Sequence, residues 1–217
     1  MATPVLALFV DVKVAVPVLV LPNLIMDAIQ VARLGELLPT ARRMAVLLAF
    51  GLVGTFIGTR LLVVLSGRAV TLVMGGMVLL FVALNATRFR PRVSPAWAPW
   101  LAPPVGFIAG VTGGLANVPG LPLVIYFYSL RMEKTEFVRT VAVTFIVYKI
   151  IQLGAAAWYG LLGWGLLAAS VALAGVGLGA FWLGLRVQDR LDPRAFNRAV
   201  LGFLAVLGGW LMIRASL

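Results

Sequence analysis

Neither cysteine nor histidine occurs in the 217 residues, and only seven positions carry Asp or Glu. The first absence removes thiol nucleophiles, His-based triads, disulfides and Cys/His metal sites together. The second leaves little for carboxylate acid–base or metal chemistry. Neither a metal site nor a cofactor is expected. Charge as a whole is scarce, at 12% of residues, where a soluble domain carries roughly a quarter. Long polar connections are missing too, so no extramembrane domain is expected.

What is abundant is hydrocarbon: 62% of the chain is hydrophobic. A globule of this size has too little interior to hide that surface, so most of it must face lipid. Eighteen Lys/Arg against seven Asp/Glu give a net charge of +11. Such an excess often marks nucleic-acid binding. Here the basic residues fall in short clusters between apolar runs, the pattern of loops that set membrane topology, so no nucleic-acid partner is expected. Met1–Val10 lacks the basic start of a cleavable signal peptide. The fold class is therefore all-α, a polytopic transmembrane bundle with the lipid bilayer as its first partner.

A spanning helix needs about 20 apolar residues. Val14–Ala32, Met44–Leu65, Ala69–Ala86, Trp97–Leu130, Glu136–Trp158, Leu161–Val187 and Ala195–Ile213 qualify or nearly do. Trp97, Trp100, Trp158, Tyr159 and Trp164 bracket helix ends as interfacial belts do. Arg88–Arg92 reads as a topology-setting basic loop.

An internal repeat is visible. Gly58-Thr-Arg60, Leu65-Ser-Gly-Arg68-Ala69 and Gly76 recur as Gly184-Leu-Arg186, Leu191-Asp-Pro-Arg194-Ala195 and Gly202, all at an offset of 126. Gln30 aligns with Gln152 at 122, and Pro4-Val-Leu with Pro122-Leu-Val at 118. Paired halves are a common transporter plan, so the chain divides into a first half, 1–95, and a second, 96–217. If Trp97–Leu130 crosses the membrane once, the halves run parallel. Ten Lys/Arg then share a side with Arg68 and seven the side of Arg43, a thin bias placing the Arg68 side in the cytoplasm. The second half opens on Gly110-Val-Thr-Gly-Gly114; its counterpart would lie before Met1, so the first half is expected to lack that opening.

Gly110–Pro122 cannot run as unbroken helix, since each interior Pro costs about 3 kcal/mol and each Gly about 1 kcal/mol relative to Ala. Backbone freed at bilayer depth is tolerated only against protein or a wet cavity, and broken helices present their N–H groups to anions. Gly113, Gly114, Asn117 and Gly120 are the binding candidates here. The competing reading is close helix packing through small residues, which the spacing of Gly51, Gly54 and Gly58 fits. On Glu136–Trp158, Thr140, Thr144, Tyr148, Lys149 and Gln152 share about half the circumference, with Ala142, Val143, Ile146, Ile150 and Leu153 toward lipid. Lys149 lies near mid-span, where a charge is costly and marks function by default. Asn23, Asp27 and Gln30 share one face in the first half, and the 122 offset equates Asp27 with Lys149. The sharpest expectation is that Asp27 and Lys149 approach each other, the ammonium meeting an anionic substrate together with Gln30, Gln152, Thr140 and Thr144. Asp27 would carry a coupling proton.

The run Gly113-Gly-Leu-Ala-Asn-Val-Pro-Gly-Leu-Pro122-Leu-Val, followed by Glu136-Phe-Val-Arg-Thr140, resembles the second-half signature of the TauE/SafE sulfite exporter family. The Gly-rich helix ending at Arg186 and the closing Arg194–Ile213 helix are similar to that family's ending. The resemblance implies a multi-pass transporter of the bacterial inner membrane that moves small sulfur-containing anions such as sulfite or sulfonates, with two related four-helix halves. The sequence departs from the family pattern at Ala116-Asn117-Val118, where a more Gly-rich run is expected.

Three classes follow. The leading one is a secondary transporter, not an enzyme, with a small anion as substrate; a homo-oligomer is compatible with it. The second is an intramembrane enzyme acting on a lipid or isoprenoid phosphate, for which Asp189 and Asp192 are the closest approach to a metal pair, although Arg186, Arg190 and Arg194 around them favour ion pairing. The third is a non-transporting membrane scaffold, which leaves Lys149 without a reason.

Overall fold

The computed structural model describes residues 2–87, 93–94, 96–188 and 193–216, with side chains at all of these except 134 and 181–197. The described residues fold as helices: α1 (Ala2–Leu6), α2 (Val12–Val18), α3 (Val20–Leu34), α4 (Leu37–Arg43), α5 (Ala45–Val64), α6 (Gly67–Ala86), α7 (Ala98–Ala116), α8 (Gly120–Ser129), α9 (Lys134–Trp158), α10 (Trp164–Gln188) and α11 (Pro193–Ser216). Pro17 and Pro22 remove backbone donors around Leu19, which splits α2 from α3 without ending the crossing over Val12–Leu34. Five described segments are long and apolar enough to span a bilayer, and Trp164–Ala180 is a shorter apolar stretch of α10. The protein is an all-α multi-pass membrane bundle. Trp97, Trp100, Trp158 and Trp164 stand exposed at helix ends, where amphipathic rings belong.

Two cross-chain features set the direction of each helix. Arg43 pairs with Glu136 and Arg139 with Glu36, so the end of α3, all of α4 and the start of α9 lie at one face. At the opposite face, Arg68 donates to the Ala215 and Ser216 carbonyls, Arg214 to those of Ala7 and Leu8 at 2.8 Å, and Lys13 to Val63 at 3.0 Å. The α7–α8 pair does not cross. The Tyr126 hydroxyl donates to the Ala98 carbonyl at 2.9 Å, and Ser129, Leu130 and Arg131 share a cavity with Ser94 and Ala98. The chain therefore enters along α7 and returns along α8 to the Arg43 face. This corrects the single crossing expected for Trp97–Leu130 and, with it, the parallel sense: α3 runs toward the Arg43 face and α9 away from it.

The tightest helix contact is α5 on α7, through glycines on both sides. A Cβ at Gly54 would fall on the Phe107 carbonyl, at Gly58 on Val111, at Gly106 on Leu47, at Gly110 on Gly51 and at Gly114 on Thr55. Lipid offers no hydrophobic drive for helix association, so this backbone-to-backbone approach is what dispersion and close packing require. Elsewhere α6 lies against α11 and α3 against α9. Ala142 and Val143, expected to face lipid, are buried with Val31 of α3. Thus α9 is covered on two sides, and Ile150 is left exposed to the membrane.

The glycine contact makes a direct prediction. Gly114→Ala drives a methyl into the Thr55 carbonyl and is expected to destabilise by about 1–3 kcal/mol, as overpacking does, lowering the thermal midpoint in detergent. Gly154→Ala, where nothing lies within 4 Å, is expected to leave the midpoint unchanged or raised. Equal midpoints for the two variants would contradict the packing account.

Candidate functional site

The break between α7 and α8 is built by Asn117. The α7 carbonyls of Gly113 and Thr112 accept from the Asn117 N–H, and Thr112 also from Val118 at 3.3 Å. Such a cap needs a left-handed residue, usually glycine and next most readily asparagine. Asn117 holds φ 60° and ψ 28°. This is the physical reason that a Gly-poorer Ala116-Asn117-Val118 still turns the chain. Gly113 lets the turn close, because a Cβ there would meet Pro119 at 3.0 Å.

Lys149 of α9 reaches this turn. It lies 15 residues into the helix, about 22 Å from its start at 1.5 Å per residue, and is 3% exposed. Its ammonium donates to Asn117 Oδ1 and, at 2.6 Å, to Gln152 Oε1. Gln152 Nε2 donates to the carbonyls of Gly113 at 3.1 Å and Gly114 at 3.2 Å. Asn117 Nδ2 donates to Thr3 Oγ1 of α1 at 2.8 Å. One network thus joins a buried charge to the broken helix and to the short α1.

Every contact to the ammonium is a neutral oxygen. No ion pair joins Lys149 to Asp27 among the described residues. The expected direct pairing is not formed: Asp27 is half-buried on α3 while Asn117 and Gln152 hold the ammonium. A buried charge without a contacting counter-charge is costly.

Of the sequence-derived candidates, Gly113, Asn117, Lys149 and Gln152 meet in this network. Gly114 contributes its carbonyl and also packs against Thr55, so its lack of a side chain serves the α5–α7 contact. Gly120 begins α8 and is not in the network; a Cβ there would only touch Phe145 at 3.7 Å. Thr140 and Thr144 are fully buried on the same helix but nearer the Arg43 face, where Arg43 donates to Thr140 Oγ1 at 3.3 Å. Gln30 is exposed and stands outside the cluster. The Tyr148 hydroxyl turns toward α5 and α7, donating weakly to the Leu47 and Gly106 carbonyls at 3.4 and 3.3 Å. Asp189 and Asp192 lie outside the described residues, as do Arg88–Arg92; among the described residues no cluster of acidic side chains fits a metal ion.

Two participants were not legible in the sequence. Thr3 precedes the predicted spans and joins the site only through tertiary folding. Thr55 is fully buried on the α5 stripe beside Gly110 and Gly114, and its hydroxyl has no partner among the described residues.

A membrane bundle, a helix broken at bilayer depth and a buried lysine beside the break are the features of an anion-handling transporter. The family model described as "Sulfite exporter TauE/SafE" matches residues 1–211. The chain belongs to the TauE/SafE sulfite exporter family. No curated protein and no solved structure matches it. Within the matched residues, this chain's Gly113-Gly114…Asn117…Pro119-Gly120 run forms the α7 cap and the start of α8.

Asn117 combines two roles that substitution separates. Asn117→Gly keeps the left-handed turn but removes the amide; Asn117→Ala also strains the turn, by about 1 kcal/mol or more. The glycine variant is expected to fold with a near-native midpoint while losing ligand-dependent stabilisation, and the alanine variant to lose both. Retained ligand response in Asn117→Gly would show that the amide has no part in the site.

Proposed function

We propose that the protein is a secondary transporter that moves a small sulfur-containing anion, of the sulfite or sulfonate kind, across the bacterial inner membrane. The observation that carries this reading is the Lys149 ammonium, buried and held only by Asn117 and Gln152. Family membership supports the transport of an anion, and one fixed cation among neutral donors and acceptors suits a small, singly charged oxyanion.

In this reading the site is formed by Gly113, Gly114, Asn117, Lys149 and Gln152, with Thr3 and Thr55 as additional polar groups and Asp27 as the proton carrier. Binding the anion beside Lys149 raises the cost of a negative charge on Asp27, so anion and proton move together by electrostatic linkage. The chain is read as two related halves, 1–95 and 96–217, in inverted orientation. Support comes from α6 and α11 beginning at Gly67 and Pro193, the offset already present in the sequence, and from the opposed directions of α3 and α9. Inverted repeats with broken helices meeting at a central site are a recurring transporter plan.

The same directions sharpen the charge argument. Among the described residues, nine basic ones fall toward the Arg43 face by position between helix ends (Arg33, Arg42, Arg43, Arg131, Lys134, Arg139, Arg186, Arg194 and Arg198) and four toward the other (Lys13, Arg60, Arg68 and Arg214). The Arg43 face is accordingly the cytoplasmic one, the reverse of the assignment that a parallel arrangement gave.

Proteoliposome flux tests the reading. Saturable uptake of radiolabelled sulfite or a sulfonate is expected, and Lys149→Met is expected to abolish it in protein that still folds and inserts. Asp27→Asn is expected to retain binding and lose the response to an imposed pH gradient. Undiminished flux in Lys149→Met would overturn the site, and an unaltered pH response in Asp27→Asn the coupling.

A further inference from the structure

Between the Arg43 face and Lys149, α9 carries a column of buried polar side chains. Thr140 and Thr144, one turn apart, have no exposed surface; Lys149 lies about 13 Å beyond Thr140 along the helix and, at about 100° per residue, around on its other side. The mouth of this column is closed by two ion pairs that cross between elements. Arg43, at the end of α4, pairs with Glu136 of α9; Arg139 of α9 pairs back with Glu36, at the start of α4. Arg43 also donates to Thr140, the first hydroxyl of the column. A cavity of about 260 Å³ lies among Glu36, Pro39, Thr40, Arg43, Glu136 and Arg139, and the buried Arg139 Nε has no partner among the described residues.

The closure is mechanically separable from the bundle. Gly35 at φ 65° and Glu36 at φ 55° form the corner between α3 and α4. A non-glycine residue at positive φ is strained and persists because its surroundings hold it; here the Glu36 carboxylate is held by Arg139. The seven-residue α4 is tied to α9 through partly exposed charges, which individually contribute little and exchange readily with water. A short helix on a strained corner, latched by weak pairs over a buried hydroxyl column, has the construction of a gate.

We propose that α4 is the gate at the Arg43 face, latched by Arg43–Glu136 and Arg139–Glu36, and that its release opens the Thr140–Thr144 column to anions bound for Lys149. The destination rests on the transport reading above; the gating itself does not. Basic residues on both sides of the latch suit the role, since an approaching anion competes with Glu36 and Glu136 for the same guanidinium groups.

The absence of native cysteine permits a test that needs no transport. Thr144→Cys supplies a single thiol beneath the gate, in vesicles that expose the Arg43 face to a membrane-impermeant maleimide. Adding Glu36→Gln and Glu136→Gln is expected to raise the labelling rate about tenfold, the effect of two partly exposed pairs acting together. Arg43→Glu with Glu136→Arg restores an attraction in the opposite sense and is expected to return the rate to near that of the latched protein. Equal rates in latched and unlatched proteins would overturn the gate, as would fast labelling that the reversed pair fails to slow. If the gate behaves as expected while Lys149→Met retains flux, the gate stands and the Lys149 site falls.

Discussion

An ammonium group deep in an apolar bundle, with no carboxylate touching it, is the constraint on which the rest of this structure depends. Lys149 is tolerated because Asn117 and Gln152 replace its hydration shell, and because those two amides are anchored in turn to Thr3 and to carbonyls near the α7 terminus. Half-satisfied polar networks in a core are more costly than apolar packing, so each member fixes the others. The break at Asn117, the close approach of α7 to α5 and the position of α1 follow from one arrangement that keeps a cation buried and available.

The glycines do two kinds of work in one segment. Gly106, Gly110 and Gly114 recur every fourth residue and bring α7 against the α5 backbone. Gly113, on a different side, leaves room for Pro119 as the chain turns back. Close packing thus accounts for Gly106, Gly110 and Gly114, and the turn for Gly113. The rigid α5–α7 pair is a fixed wall against which the network is positioned, which suits a binding site better than a mobile loop does.

Much of this was legible before any coordinates. Composition dictated a membrane bundle, proline and glycine dictated a break between Gly110 and Pro122, and the cost of a mid-span charge singled out Lys149. The opposed directions of α3 and α9 were not legible. A repeated motif reads the same whether its copies run parallel or inverted, and the Trp97–Leu130 stretch is long enough either to cross once or to turn back; the difference resides in the left-handed Asn117. Nor were the latching pairs, whose partners lie 93 and 103 residues apart in sequence. Gln30 was misplaced because the 122 offset equates it with Gln152, while on α3 it faces outward. Ala142 and Val143 were assigned to lipid because apolarity does not distinguish a helix neighbour from an acyl chain.

The central claim is that the Lys149 cluster binds a small anion, and ligand-dependent thermal stabilisation of the purified protein in detergent tests it most directly. Binding to the folded state alone raises stability by RT ln(1 + [L]/Kd), about 2.7 kcal/mol at a hundredfold excess over Kd. The account predicts a saturable upward shift with sulfite or methanesulfonate that disappears in Lys149→Met, with chloride at equal ionic strength giving none. A shift of the same size and concentration dependence in the Lys149→Met protein would contradict it.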